Sequence, residues 1–278
     1  MAGMLYLVPT PIGNLGDISR RCRETLEAAD FIAAEDTRVS LRLLNHLELH
    51  KPLVSYYEHN KTESGPRIVQ RLLAGETCAL VTDAGSPAIS DPGEDLVRLC
   101  AEAGIPVCAV PGPCAAITAL SVSGLPTGRF CFEGFLSVNK KERRTHLASL
   151  LDEQRTMIFY EAPHKLQTTL ADLTEAFGVD RRISLCRELT KLHEEVLRMT
   201  LGQAVSYYGE NPPRGEFVLI VEGAKQTGSQ PLSIEDAVQL VAEEIKNGAS
   251  KKDAVKMIAK ETGLPKNALY DAVLQQLG

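Results

Sequence analysis

Four carboxylates sit in short segments built from small residues: Glu35 and Asp36 in "AAEDTR", and Asp83 and Asp91 in "TDAGSPAISDPG". Two further segments of the same texture, "VPTPIGN" and "VPGPCAA", begin at Val8 and Val110. Such segments bury little apolar surface, and their prolines cannot serve a sheet ladder. They do let a ligand come close to the backbone, and they leave N–H groups free where a helix begins. Neither GxGxxG nor GxxxxGK[ST] is present, and the loops are poor in Lys and Arg, so neither a dinucleotide fingerprint nor a triphosphate cradle is indicated. Acid and open backbone together suit a cation that also carries hydrogen-bonding edges.

Each segment follows a short apolar run. "MLYLVPTP", "FIAAED", "PLVSYY", "TCALVTDAG" and "PVCAVPG" read as strands. Between them, Asp17–Ala29, "LRLLNHL", "GPRIVQRLLAGE", "GEDLVRLCAEAG" and "CAAITALSVSG" read as helices. Strands alternating with helices predict a mostly parallel sheet covered on both faces, with ligands outside the carboxyl ends of its strands. The four small-residue segments then share one sheet edge. S-adenosylmethionine, with its sulfonium, adenine edge and ribose hydroxyls, fits the chemistry of that edge.

After "GLPTGRF" the α/β pattern restarts with "FCFEGFL", "KKERRTHLASLLDEQ", "TMIFYEAP", "HKLQTTLADLTEAFG", "RISLCREL", "HEEVLRMTLGQAVSYYG" and "GEFVLIVEG". The Gly and Pro cluster near 124–128 predicts a boundary, giving α/β domains at 1–126 and 127–225. "AKQTGSQPL" reads as a linker. Three capped helical patterns follow over 232–278, the last two spaced like a helix-turn-helix.

With 278 residues, 44% hydrophobic and 24% charged, the composition is that of a globular protein. A net charge of -6 does not advertise a polyanion binder, so such a partner would need a local basic patch. The seven cysteines show no CxxC spacing and read as reduced core thiols; no metal site is expected. The N-terminus lacks a basic n-region and no run reaches membrane-spanning length, which predicts a cytoplasmic protein.

The segments "LYLVPTPIGNLGDIS", "AAEDTR", "VTDAGSPAISDPG", "VPGPCAAITALSVSGLP", "FEGFL", "FYEAPHKL", "CRELTKLHEE" and "RGEFVLIVEG" resemble, in order, the signatures of the ribosomal RNA small subunit methyltransferase I group. That group lies within the tetrapyrrole methylase superfamily. The resemblance implies two α/β domains with S-adenosylmethionine between them, a homodimer, and 2′-O-methylation of a cytidine ribose in the decoding region of 16S rRNA in the small subunit. It implies cofactor contacts from Pro11, Asp83, Gly85, Ser86, Cys114, Ala115, Ala116, Tyr160, Glu161, Gly215 and Glu216. Thr82-Asp83-Ala84 stands where the superfamily has Gly-Asp-Pro: the acid is kept and the proline lost.

Glu35, Asp36 and Glu161 are candidate general bases for a ribose hydroxyl, with Asp83 and His164 behind them. Asp36 equally suits a helix N-cap, and Glu161 a structural contact. Arg38, Arg187 and Lys191 are candidate phosphate contacts, or internal ion pairs. "NKKERR" supplies the densest basic run, with Lys140, Lys141, Arg143 and Arg144 as RNA contacts or a solvated helix start. Two other functions compete: methylation of a small tetrapyrrole, which needs neither basic run nor helical tail, and a ligand-sensing helix-turn-helix regulator, whose tail would need a positive charge it lacks.

Overall fold

The computed structural model describes residues 3–225 and 233–277, except the side chain of Leu277, as two compact units, Met1–Gly223 and Ala224–Gly278. Beyond Lys225, the expected linker and residue 232, where the tail was expected to start, lie outside the described residues.

The first unit opens with β1 (Leu5–Leu7), α1 (Arg20–Ala28), β2 (Phe31–Ala34), α2 (Thr37–His46), β3 (Leu53–Ser55), α3 (Lys61–Leu73), β4 (Cys78–Val81), α4 (Gly93–Glu102) and β5 (Val107–Ala109). The strands form one sheet in the order β3-β2-β4-β1-β5, every pair parallel. Alternation along the strands sorts the core. Ile32, Ala34, Ala79 and Val81 meet Leu26 of α1 and Leu44 of α2 on one face. Phe31, Ala33, Cys78 and Leu80 meet Ile68 of α3 and Leu96 of α4 on the other. The helices after β2 and β1 thus lie opposite the helix after β4, which stands between those strands. Its carboxyl end is a topological switch point, where the connecting loops part and leave a crevice.

Two local expectations shift. The helix expected over Asp17–Ala29 is a 3-10 turn (Leu15–Asp17) capped by Asn14, then α1 capped by Ser19. The helix α3 begins at Lys61, before the Gly-Pro pair that looked like its start, and carries Pro66 in its interior.

The chain continues through α5 (Ala115–Val122), β6 (Phe130–Phe135), α6 (Lys140–Ser149), β7 (Thr156–Glu161), α7 (Leu166–Phe177), β8 (Arg182–Arg187), β9 (Glu195–Thr200), α8 (Leu201–Glu210) and β10 (Phe217–Val221). This second sheet runs β6-β7-β10-β8-β9, parallel only between β6 and β7. One face is covered by Leu147, Leu170, Leu173, Leu201 and Tyr208 of α6, α7 and α8. The other receives Ala116, Ala119 and Leu120 of α5 against Ile158, Cys186, Val218 and Ile220. Although α5 precedes residue 126, its apolar contacts are with the second sheet. We therefore propose 1–126 and 127–225 as lobes by chain order, with the physical seam just before α5.

The second unit is α9 (Ile234–Lys246), α10 (Lys251–Thr262) and α11 (Lys266–Leu277) around a core of Val238, Val241, Val255, Ile258, Leu269 and Val273. Ser233 and Ser250 cap the first two helices by accepting from the N–H of Asp236 and Asp253, and Gly263 ends α10 at φ 71.

Candidate active site

The small-residue segments after β1, β4 and β5 are tied to one another. Thr10 and Gly85 exchange backbone hydrogen bonds of 2.9 and 3.0 Å, and Thr10 Oγ1 donates to the Thr82 carbonyl at 3.1 Å. Gly85 holds φ 85, where a side chain would be strained. Ser86 Oγ donates to the Pro113 carbonyl at 2.9 Å. Asp91 closes the loop after β4, accepting from the N–H groups of Ala88, Ile89 and Gly93 at 3.0, 3.2 and 2.7 Å. Burial still pushes its carboxyl above the ordinary range. Ala88 and Ser90 sit at φ 67 and 65, strain that Asp91 helps to hold.

These loops floor a cavity of about 480 Å³ whose walls come from both sheets. Thr82, Asp83, Gly85 and Ser86 face Cys114 and Ala115, while Tyr160, Glu161, Glu216 and Val218 close it from the second sheet. Tyr160 ties the second sheet to α5: its hydroxyl accepts from the Ala116 N–H at 3.2 Å, and its ring meets Phe132 and Phe135 edge-on at 5.0 and 5.5 Å. Burial pushes the phenol up to about 12, so it stays a neutral phenol.

Eight of the eleven expected cofactor positions line this cavity: Asp83, Gly85, Ser86, Cys114, Ala115, Tyr160, Glu161 and Glu216. Pro11, Ala116 and Gly215 do not. Pro11 lies between Thr10 and the lining residue Ile12. The buried Ala116 contributes its N–H to Tyr160. Gly215, at φ 81, works behind the wall, where an added Cβ would come within 2.5 Å of Glu188 Cγ. Glu188 needs that approach, because its Oε1 accepts from the Glu216 N–H at 3.0 Å and from Lys191 Nζ at 2.8 Å.

Asp83 shares the floor with Asp91, whose carboxylate is taken up by three backbone N–H groups of its own loop. The Oδ1 of Asp83 accepts from the Asp36 N–H at 3.0 Å. Partial enclosure, with Glu35 and Asp36 as like-charged neighbours, holds its carboxyl above the ordinary range, burial being the larger cause.

The three expected catalytic carboxylates are otherwise engaged. Asp36 is the N-cap of α2, accepting from the Arg38 N–H at 2.8 Å and from Arg38 Nε and Nη2 at 3.0 and 2.6 Å. Those bonds, the side-chain ones first, hold its carboxyl at about 2, which makes it a weak base. Its contribution to stability is complete above the ordinary carboxylate range and is lost only as the pH falls toward that depressed value. Glu35 accepts from Thr82 Oγ1 at 2.6 Å. Glu161, 5% exposed, accepts from Thr169 Oγ1 and from the Ala162 N–H, fastening β7 to α7. Neither Glu35 nor Asp36 lines the cavity, and exposed His164 does not either. We expect Asp36→Asn, which keeps the cap, to leave turnover within about threefold of wild type; a proton-accepting role would cost about a hundredfold or more. Initial rates from pH 5 to 9 (about neutrality either side) separate the two.

The expected RNA contacts divide. Lys140 and Lys141 are exposed and make no ion pair among the described residues. Arg38, Arg144, Arg187 and Lys191 are paired with Asp36, Glu175, Glu195 and Glu188 respectively, with Glu216 a second partner of Lys191. Arg38 and Arg144 remain exposed at the surface. Arg143 is a correction. Its Nε meets Asp172 Oδ2 at 2.6 Å with both side chains 11% exposed, so it holds α6 to α7 and does not face a polyanion. Nothing in "KKERR" marks a partner 29 residues away. Phe135 and Ile89, both lining the cavity, were missed; the one signal was their place within the quoted motifs.

Among the described residues no group of His, Cys, Asp and Glu is arranged for a metal, and no helix is long and apolar enough to cross a membrane.

Comparison with known proteins identifies the architecture. The family model for tetrapyrrole (corrin/porphyrin) methylases matches residues 4–205, and that for the RsmI C-terminal HTH domain matches 246–277. Ribosomal RNA small subunit methyltransferase I of Synechocystis sp. is 46% identical over 273 residues, covering 98% of each chain. The Halalkalibacterium halodurans protein of the same name is 48% identical over 280 residues, covering 99% of this chain and 96% of its own. In fold, the chain is similar to a crystal structure of uroporphyrin-III C-methyl transferase from Thermus thermophilus complexed with S-adenyl homocysteine (TM-score 0.54, 18% identity, 79% of this chain and 97% of that one). On the near-complete match to these two relatives and both family models, the chain belongs to the ribosomal RNA small subunit methyltransferase I family of tetrapyrrole methylases.

Proposed function

We propose that this protein transfers the methyl group of S-adenosylmethionine to the 2′ hydroxyl of a cytidine in the decoding region of 16S rRNA, working on the small ribosomal subunit. The observation that carries the cofactor reading is Asp83 in a cavity of about 480 Å³, walled by Tyr160 and floored by small-residue loops. The residues fit the cofactor: a carboxylate for a cation, open backbone for an adenine edge, and a ring and aliphatic side chains for its apolar parts. The relatives' names support small-subunit ribosomal RNA as the substrate; the cytidine 2′ hydroxyl and the decoding region rest on the resemblance of the motifs to the family.

When bound, the cofactor would supply a methyl on a sulfonium: as the ribose oxygen bonds to the methyl carbon the C–S bond breaks with its electron pair going to sulfur, and the hydroxyl proton passes to solvent. The chain's part is alignment and exclusion of water. The Thr10–Gly85 bridge and the Ser86–Pro113 bond fix three loops against each other, and Tyr160 holds the second sheet to α5. With Asp36, Glu35 and Glu161 engaged, in-line alignment, worth several kcal/mol, carries the rate and no carboxylate among these three takes the proton. Lys140 and Lys141, with Arg38 and Arg144 exchanging their partners for phosphate, supply the local attraction an acidic chain needs. Arg187 and Lys191 reach phosphate only by giving up half-buried pairs, so they act chiefly on the wall. The resemblance to the family further supports a cytoplasmic homodimer.

Labelled methyl transfer from S-adenosylmethionine tests the reading. Small subunits lacking the modification should accept label in 16S rRNA, and a uroporphyrinogen or precorrin should not. Label only in the tetrapyrrole would replace the reading.

A further inference from the structure

The strand β6 carries an irregularity that aims one side chain into the cavity. Its register against β7 pairs Phe130 with Thr156, Cys131 with Met157 and Phe132 with Ile158, then jumps so that Gly134 meets Phe159 and Phe135 meets Tyr160. Glu133 is the extra residue of a β-bulge, and Gly134 takes up the turn at φ 65. Without the bulge, Gly134 would stand opposite Tyr160 and Phe135 would fall on the other face. With it, Phe132 and Phe135, three residues apart, both meet the Tyr160 ring. Phe132 is partly buried against the α5 core. Phe135 lines the cavity and is 58% exposed, a large apolar ring left at the rim.

The surroundings point outward from the cofactor floor. A Cβ on Gly134 would lie 3.5 Å from Ser90 Oγ, so the bulge meets the loop after β4 beside Ile89, another lining residue and 48% exposed. In the other direction Val138, 74% exposed, leads to Lys140 and Lys141 at the start of α6. An exposed ring, an exposed aliphatic residue and two cations with no ion partner among the described residues thus follow one another along seven residues of chain from the rim. A single-stranded nucleic acid is bound by this combination, bases on aromatic faces and phosphates on nearby cations.

We propose that Phe135 is the stacking platform for the base of the nucleotide that is methylated, placed there by the β6 bulge. The proposal rests on the RNA methyltransferase reading. Stacking holds the unpaired base at the rim while its ribose enters the cavity, and the lysines of α6 hold the adjoining backbone.

Steady-state methyl transfer to unmodified small subunits, with cofactor affinity measured in parallel by calorimetry, tests it on the full chain. Phe135→Ala should raise KM for the particle by about tenfold to a hundredfold, as loss of one base–aromatic stack does. Its cofactor Kd should rise far less than its KM for the particle, because Phe135 stands at the rim of the cavity and outside the loops that hold the cation. Phe135→Tyr should restore KM, whereas Phe135→Leu, which keeps apolar bulk without a ring, should not. Parallel weakening of cofactor and particle would assign the ring to the cofactor and overturn the proposal. Unchanged KM in Phe135→Ala, or full rescue by leucine, would overturn it too. If the wild-type protein labels no RNA at all, the parent reading fails first, and that result is distinct from any Phe135 effect.

Discussion

Replacing Asp83 with asparagine is expected to weaken S-adenosylmethionine binding roughly thirtyfold, about 2 kcal/mol, with little change in thermal stability. The amide oxygen can still accept from the Asp36 N–H, which the aspartate does at 3.0 Å, so the substitution removes charge and keeps the hydrogen bond. Asp83→Ala removes both and should bind no better. The acid's own behaviour adds a second signature. Burial and two carboxylate neighbours hold Asp83 above the ordinary range, and a bound cation pulls it back down. Affinity is therefore full while Asp83 is ionised in the free protein and declines as the pH falls through its raised value. Asp83→Asn should abolish that acid limb. Calorimetry across the acid range checks both effects; equal affinity in wild type and Asp83→Asn would remove Asp83 from the site.

Arg143→Ala is expected to destabilise the protein by about 3–5 kcal/mol, the cost of stranding a buried charge. Arg143 lies against Asp172, and its Nη1 also donates to the carbonyls of Ser137 and Val138 at 3.1 and 3.4 Å. Truncation leaves Asp172 buried and unpaired, and frees the turn that follows Phe135. Pairing the change with Asp172→Leu should recover much of the loss, since an apolar pair avoids the stranded charge. Lys140→Glu with Lys141→Glu should leave stability near wild type and instead weaken methylation of the particle, more at low salt than at high. Urea denaturation read beside turnover separates these two halves of one basic run. An Arg143→Ala variant as stable as wild type would return Arg143 to the RNA-facing set.

The gathering of the small-residue loops at one sheet edge was legible because it depends on two properties that act locally. Apolar runs of strand length ended in Gly, Pro, Ser and Asp, and parallel pairing forces such ends onto one side of a sheet. The strands β1, β2, β4 and β5 obey that rule. What the sequence hid was pairing at a distance. Asp172 lies far along the chain from Arg143, so a buried clamp and a solvated cation look alike within "KKERR". The helix α5 looks like the end of the first α/β run, yet its small, apolar residues bury against β7, β8 and β10. The β6 bulge left only Gly134 as a mark, and a single glycine does not say which neighbour changes face. Asp36 was legible as cap or base; the structure has it capping α2 and bonded to Arg38. The missing Cβ of Gly215 also makes room for Glu188 behind the cavity wall, a long-range requirement that the local motif does not reveal.

Methylation of a ribose in 16S rRNA is tested most directly by alkaline cleavage. A 2′-O-methyl group removes the hydroxyl that attacks the adjoining phosphodiester, so one linkage becomes resistant to base. Small subunits from a strain lacking this gene, incubated with the purified protein and S-adenosylmethionine, should gain one resistant linkage, 3′ of a cytidine in the decoding region. The untreated subunits should cleave there. Methyl incorporation with no resistant linkage, or resistance at a position outside the decoding region, would contradict the account.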